Sequence, residues 1–282
     1  MIKTEDGVEL FVRDWPVPAG TRRRGSALII HGLGEHCGRY AHVAAALNEI
    51  GVAVRGYDQR GFGQSSGPRA AIPSLSAPLD DAKLVFDALT AQANAAGDPA
   101  PPFLIGHSMG GAIAARAVTG GWIRPRGLVL SSPALKTRLG AAMRYVVAAA
   151  SRVAPNFVLP HGLPLHRLSH DPLIATEVKG DQLCHAYATP RTIAFLLDAG
   201  AQARHDAAKL NVPVLLLVAG DDRLVDPEGA REFAAALPPG RGTLLWYAPL
   251  WHEIFNEREP ERARVLEDLQ GWIRGLLDFK SA

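Results

Sequence analysis

Gly106-His107-Ser108-Met109-Gly110 reads G-x-S-x-G. It follows the apolar run Pro102-Phe103-Leu104-Ile105 and precedes the small-residue run Gly111-Ala112-Ile113-Ala114-Ala115. That order predicts strand, sharp turn and helix. A serine at such a turn is pushed out of the backbone contour, with its hydroxyl exposed at the end of a sheet. Glycines flank it because the turn is strained and the helix passes close to the strand. A glycine-rich turn whose serine only caps the next helix would carry the same letters. The two readings separate on whether the rest of the chain supplies a base, an orienting acid and an oxyanion hole.

Working outward, continuous apolar runs alternate with helical patterns. Val8–Asp14 alternates apolar and polar, as a half-exposed edge strand does. Ser26–Ile30 is a buried strand ending at His31-Gly32-Leu33-Gly34-Glu35-His36, and a helix follows over about 40–50. Val52–Asp58 is the next strand, then the glycine-rich loop Gln59–Gly67, then a helix over about 78–96. The strand before Ser108, a helix to about Gly120 and the strand Gly127–Ser131 complete a βαβαβαβ order. Short apolar strands alternating with helices imply a mostly parallel sheet covered on both faces. In such sheets sites gather at the carboxyl ends of the strands, where His31, Asp58, His107 and Ser108 all fall.

The pattern breaks over 133–207, which carries no clear buried strand. It has a helical stretch from Leu139 to Val153, a proline-rich connector from Pro155 to Pro164 and a helix over about 190–203. We read it as a helical cap inserted in a core made of 1–132 and 208–282. Strand behaviour resumes at Pro213–Ala219, which ends in Gly220-Asp221-Asp222-Arg223-Leu224-Val225-Asp226. A last strand, Gly242–Tyr247, delivers Trp251-His252-Glu253 ahead of a terminal amphipathic helix.

A serine hydroxyl is a weak nucleophile at neutral pH and needs a base, which in turn needs an acid to fix its tautomer. His252 is the late histidine that follows a strand, and Asp222 follows the strand before it. Asp226-Pro227 reads as a helix start, and Asp221 lies close enough to the strand end to serve the turn. The expected catalytic set is therefore Ser108, Asp222 and His252. The oxyanion requires backbone N–H donors, expected from Met109, after the nucleophile, and from Leu33. Gly32 lets the backbone approach a substrate, so Gly32 and His107 are expected to border it. His31 is read as an organiser of its loop.

Composition narrows the remaining classes. Lys and Arg total 30 against 28 Asp and Glu, a balance with no footprint for nucleic acid. Arg22-Arg23-Arg24 reads as a solvated loop. The Gln59–Gly67 loop has neither dinucleotide nor Walker spacing. Two distant cysteines, Cys37 and Cys184, make no disulfide framework, and the polar N-terminus shows no secretory signal. No apolar run reaches the roughly 18 residues of a membrane span. The expected location is the cytoplasm. Cap histidines His161, His166, His170 and His185 lack metal-ligand spacing, so no metal is expected.

These stretches together resemble the monoacylglycerol lipase and lysophospholipase group of the α/β-hydrolases. They are His31-Gly32-Leu33-Gly34-Glu35-His36-x-x-Arg39-Tyr40, Asp58-x-x-Gly61-x-Gly63-x-Ser65-x-Gly67, Gly106-His107-Ser108-Met109-Gly110-Gly111, and Asp222–Asp226 with His252. The first is far more specific than the elbow, which many lipases and esterases share. The resemblance covers nearly the whole chain and is weakest over about 139–168. It implies an α/β-hydrolase fold with about eight strands and a helical cap, and Ser108, Asp222 and His252 as the triad. It also implies cofactor-free hydrolysis of a small lipid or acyl ester with one fatty chain. In that family the cap lines an apolar tunnel and can touch membranes. Leu139–Val147 is long enough for an interfacial lid helix and too short to span; packing of that helix on the core is the alternative. The same triad would serve a thioesterase, peptidase, acyltransferase or polyester-degrading enzyme, and a non-catalytic ligand-binding homologue would require loss of a triad member.

Overall fold

The structure, a computed structural model, describes residues 1–279. Two short strands, β1 (Ile2–Lys3) and β2 (Glu9–Leu10), form an antiparallel hairpin apart from the main sheet. The main sheet has seven strands: β3 (Val12–Trp15), β4 (Gly25–Ile30), β5 (Val52–Tyr57), β6 (Phe103–His107), β7 (Leu128–Ser131), β10 (Val214–Ala219) and β11 (Gly242–Tyr247). The remaining strands, β8 (Leu159–Pro160) and β9 (Tyr187–Ala188), pair with each other in the cap. The order across the sheet is β11-β10-β7-β6-β4-β5-β3, with all pairings parallel except β3 to β5.

The expected edge strand Val8–Asp14 is split at Phe11. There the chain leaves strand pairing to bond the glycine-rich loop. The Glu9 and Phe11 amides donate to the hydroxyls of Ser66 and Ser65 (both 2.8 Å), and the Asp58 amide donates to Phe11 O (2.9 Å). The main sheet thus has seven strands, where the resemblance implies about eight.

Period-two alternation sorts the strand residues onto two cores. Leu28, Ile30, Leu104, Leu130 and Leu216 face α2 (Ala77–Ala95), α3 (Met109–Thr119), α6 (Pro190–Asp206) and α7 (Glu228–Ala236). Ile29, Phe103, Ile105, Val129 and Leu217 face α1 (Ala41–Glu49) and α8 (Glu261–Asp278). Both faces are covered, which is why the strands read as continuous apolar runs.

The inserted segment contains α4 (Ala141–Val153), the β8–β9 ribbon, α5 (Pro172–Gly180) and α6. Phe195, Leu196, Ala199 and Ala203 of α6 lie in the same buried cluster as Ile113 and Ala117 of α3. α6 is therefore a wall of the sheet core as well as the far end of the insert. α4 differs: none of its residues is buried. Met143, Tyr145, Val146 and Val153 stand largely in solvent. Among the described residues no helix is long and apolar enough to cross a membrane.

Candidate active site

Ser108 sits between the end of β6 and the start of α3 with φ +53° and ψ −116°, a backbone conformation that L-residues rarely adopt. Its amide donates to Ser131 O (3.0 Å), and its carbonyl accepts from Ala112 (3.1 Å) and Ala134 (2.9 Å), so the surroundings fix the strained turn. A side chain on Gly110 would run into the backbone of Ile30 and His31. The helix can pass this close to the sheet only with glycine there.

The structure brings Ser108, His252 and Asp222 into one hydrogen-bonded line. His252 Nε2 lies 2.8 Å from Ser108 Oγ, and His252 Nδ1 lies 2.7 Å from Asp222 Oδ2. Asp222 Oδ1 accepts from the amides of Leu224 (2.9 Å) and Val225 (3.0 Å). The carboxylate holds the ring proton on Nδ1, leaving the Nε2 lone pair for the serine hydroxyl. Asp222 and His252 are 1% and 3% exposed. Burial alone would lower the His252 pKa, but the adjacent Asp222 charge outweighs it and the net shift is upward. Burial opposes ionisation of Asp222 as well, yet His252 and the two amides hold its pKa down.

The neighbouring acids do other work. Asp221 pairs with Arg223 (2.7 Å) and accepts from Trp251 Nε1 (3.1 Å). Asp226 accepts from the Glu228 amide (3.1 Å) at the start of α7 and lies 3.3 Å from Lys136 Nζ. A residue the sequence reading missed also serves the acid loop: Arg138 donates to Asp222 O (2.6 Å) and Val225 O (3.2 Å).

Leu33 and Met109 flank Ser108, and neither amide donates a hydrogen bond within the described residues. The loop bearing Leu33 is held from below. His31 is fully buried, and its Nε2 accepts from the Gln59 amide (2.9 Å), which puts the ring proton on Nδ1, aimed at Gly32 O (2.7 Å). Burial lowers the His31 pKa, so the ring is neutral. Glu35 accepts from Tyr40 Oη (2.6 Å) and Arg39 (2.6 Å), and its pKa is lowered because Arg39 overcomes the cost of burial. Arg39 also makes a two-pronged contact with Glu253 (2.9 and 2.7 Å). This buried Glu35–Arg39–Glu253 group ties the Leu33 loop to the His252 loop. Its trace in the sequence is the i, i+4 spacing of Glu35 and Arg39.

His107 is buried beside His252, with ring centroids 5.0 Å apart, and its Nδ1 lies 3.1 Å from Ser131 Oγ. Burial and the His252 charge lower its pKa to about 4. Cys37 is buried and its thiol is pushed up by burial and by Asp58, which excludes a ready thiolate.

Ser108 lies where two cavities meet. One, of about 270 Å³, has apolar walls that include Leu165, Leu168 and Val178 and is bordered as well by Gly32, His107 and the polar groups of Glu35, Arg39 and Lys179. The other, of about 240 Å³, is bordered by Leu139, Leu163, Ile193, Leu196 and Val225. Leu33, His161, Leu163 and Leu224 line both, so the cap segment carrying His161 and Leu163 stands at the junction.

Of the cap histidines, His170 goes to Glu257 (2.9 Å), and His185 stacks on Phe62 (4.8 Å). A trio the sequence did not suggest, His36, Asp181 and Cys184, has possible ligand atoms all within 4.8 Å. However, His36 Nδ1 accepts from the Gly38 amide (3.2 Å), so Nε2 carries the proton given to Asp181 (2.8 Å). That ring offers the trio no lone pair.

A family model described as serine aminopeptidase, S33, matches residues 21–259. The chain is 33% identical over 273 residues to a monoacylglycerol lipase of Mycolicibacterium smegmatis, covering 95% of this chain and 93% of that one. It is 32% identical over 274 residues to a monoglyceride lipase of Rattus norvegicus, covering 95% and 88%. Its fold matches the crystal structure of a Paleococcus ferrophilus monoacylglycerol lipase with a TM-score of 0.84 at 29% identity, over 95% of this chain and 99% of that one.

Proposed function

This chain belongs to the serine aminopeptidase S33 family of α/β-hydrolases, and from that premise we propose how it works as a serine ester hydrolase on esters with a single fatty acyl chain. Ser108 Oγ attacks the acyl carbon while His252 Nε2 takes its proton. The Leu33 and Met109 N–H groups hold the oxyanion. His252 then protonates the departing alcohol, and water, deprotonated by the same nitrogen, hydrolyses the acyl-serine. The observation that carries this reading is the Ser108–His252–Asp222 line placed where an apolar cavity meets a polar-ended one. The acyl chain takes the Leu139–Ile193–Leu196 side and the alcohol takes the Glu35–Arg39 side.

Arg39 is shared between Glu35 and Glu253, so that end of the cavity offers a neutral polyol such as glycerol a fixed hydrogen-bonding group with one negative charge in excess, opposite Lys179. Lysophospholipid-like head groups extend the same reading, because Lys179 borders that cavity with no acid partner among the described residues.

The cap of residues 133–207 also carries the contact with lipid. From Lys136 to His170 there is no Asp or Glu, and besides Lys136, which pairs with Asp226 and Glu232, and Arg138, which bonds the Asp222 loop, the stretch carries Arg144, Arg152 and Arg167. The exposed Met143, Tyr145 and Val146 of α4 suit transient seating in a bilayer surface, to which each nearby cation adds about 1 kcal/mol on an anionic leaflet. The unpaired Cys37 and Cys184 support a reducing, cytoplasmic location.

The test is a panel of mono-, di- and triacylglycerols, lysophosphatidylcholine and an aminoacyl p-nitroanilide, run with wild type and Ser108→Ala. Turnover concentrated on single-chain esters and absent in Ser108→Ala supports the reading. Faster cleavage of the anilide, or turnover retained in Ser108→Ala, contradicts it.

A further inference from the structure

The backbone on both sides of His252 is bonded to the cap, through contacts that the chemistry above does not use. The Trp251 amide donates to Glu257 Oε1 (2.8 Å). The same carboxylate accepts from the His170 amide (3.0 Å) and faces His170 Nδ1 (2.9 Å). On the other side of His252, the Glu253 amide donates to Leu168 O (2.8 Å). Between them, Ser169 Oγ donates to Asn256 O (2.8 Å). The His170 ring also packs on Trp251, with centroids 4.1 Å apart. Trp251 Nε1 in turn donates to Asp221, the residue before Asp222.

Glu257 has a side chain 2% exposed, and among the described residues no Lys or Arg pairs with it; its side-chain ring partner is the His170 imidazole. A buried carboxylate without Arg or Lys depends on the donors that surround it. Those donors come from two places, the histidine loop and the cap segment Leu168–His170. Lifting that segment would strand Glu257 and Leu168 O and remove a backbone hold on each side of His252, leaving the loop to the side-chain contacts of Glu253 with Arg39 and of Trp251 with Asp221.

We propose that Glu257 is a positioning residue that clamps the His252 loop to cap segment Leu168–His170, so that His252 stays in reach of Ser108 only while this segment is docked. The proposal rests on His252 being the base. Its test uses the full-length enzyme, p-nitrophenyl butyrate as a soluble substrate and a fluorophosphonate probe, with kcat expressed per titrated site. Glu257→Ala is expected to lower kcat by about tenfold to a hundredfold with little change in KM, and to slow probe labelling in parallel. Glu257→Gln keeps an acceptor for the Trp251 amide and should fall between wild type and Glu257→Ala. His170→Ala, made on the cap side alone, should lower kcat in the same direction, and it decides the question if Glu257→Ala does not fold. A purely structural role would lower Tm while leaving kcat per titrated site and the labelling rate constant within about twofold of wild type, and that result overturns the clamp. Absence of probe labelling at Ser108 in wild type overturns the triad reading itself, and the clamp with it.

Discussion

Asp222→Asn has an outcome that the hydrogen bonds largely dictate. Asp222 Oδ1 accepts from the Leu224 and Val225 amides, and Oδ2 faces His252 Nδ1 at 2.7 Å. In the variant the asparagine oxygen must stay with the two amides, because turning the NH2 group toward them sets donors against donors. The NH2 group then faces Nδ1. The ring answers by moving its proton to Nε2, which lies 2.8 Å from Ser108 Oγ and now donates. No lone pair remains to take the serine proton. The equivalent change in a serine protease triad lowers kcat about 10⁴-fold, or about 5.5 kcal/mol of transition-state stabilisation.

The pH profile should move as well. Neutral His252 is the active form, and its pKa is raised above the usual 6.5 because Asp222 outweighs burial. Wild-type kcat/KM therefore falls as pH drops through a midpoint above 6.5. Without the Asp222 charge burial prevails, so the residual activity of Asp222→Asn should persist to lower pH. Initial rates of p-nitrophenyl butyrate hydrolysis over about pH 5 to 9, on protein whose folding is checked by circular dichroism, give both readouts. A variant within about tenfold of wild type, or an unmoved acid limb, would refute the tautomer argument.

Other consequences follow from the same geometry. Gly32→Ala would place a Cβ 2.8 Å from Glu35 Oε1 and 3.3 Å from Ser108 Cβ, so kcat should fall about a hundredfold with little loss of fold; unchanged kcat would argue against Leu33 as an oxyanion donor. Arg39→Ala leaves Glu35 and Glu253, whose side chains are 7% and 6% exposed, buried without their cation, and should cost about 3–5 kcal/mol in chemical denaturation. Replacing Met143, Tyr145 and Val146 together by Ser should weaken binding to anionic vesicles and slow hydrolysis of vesicle-borne monoacylglycerol, while p-nitrophenyl butyrate turnover stays as in wild type. Equal loss on both substrates would place α4 in the catalytic core instead.

Much of the site was legible because each functional group sits just after an apolar run. Strand ends can be read from continuous hydrophobicity, and the glycine-framed Ser108, the Asp222 loop and the His252 loop all follow such ends. The break at Phe11 was not legible, since it depends on hydroxyls of Ser65 and Ser66 more than fifty residues away. Arg138, Glu253 and Glu257 were missed for the same reason. Their partners lie on other loops, and a single charged residue after a strand looks like any solvated one. The surface position of α4 was also open to two readings, because an alanine-rich amphipathic pattern suits either a packed or an exposed helix. The structure leaves every residue of that helix unburied.

Catalysis by Ser108 requires a covalent acyl group on its hydroxyl, which quenched turnover followed by peptide mass spectrometry detects. With a monoacylglycerol as substrate, the acyl mass should appear on the peptide containing Ser108 in wild type and be absent in Ser108→Ala, which should also be inactive. An acyl adduct on another residue, or continued hydrolysis by Ser108→Ala, would show that Ser108 is not the nucleophile.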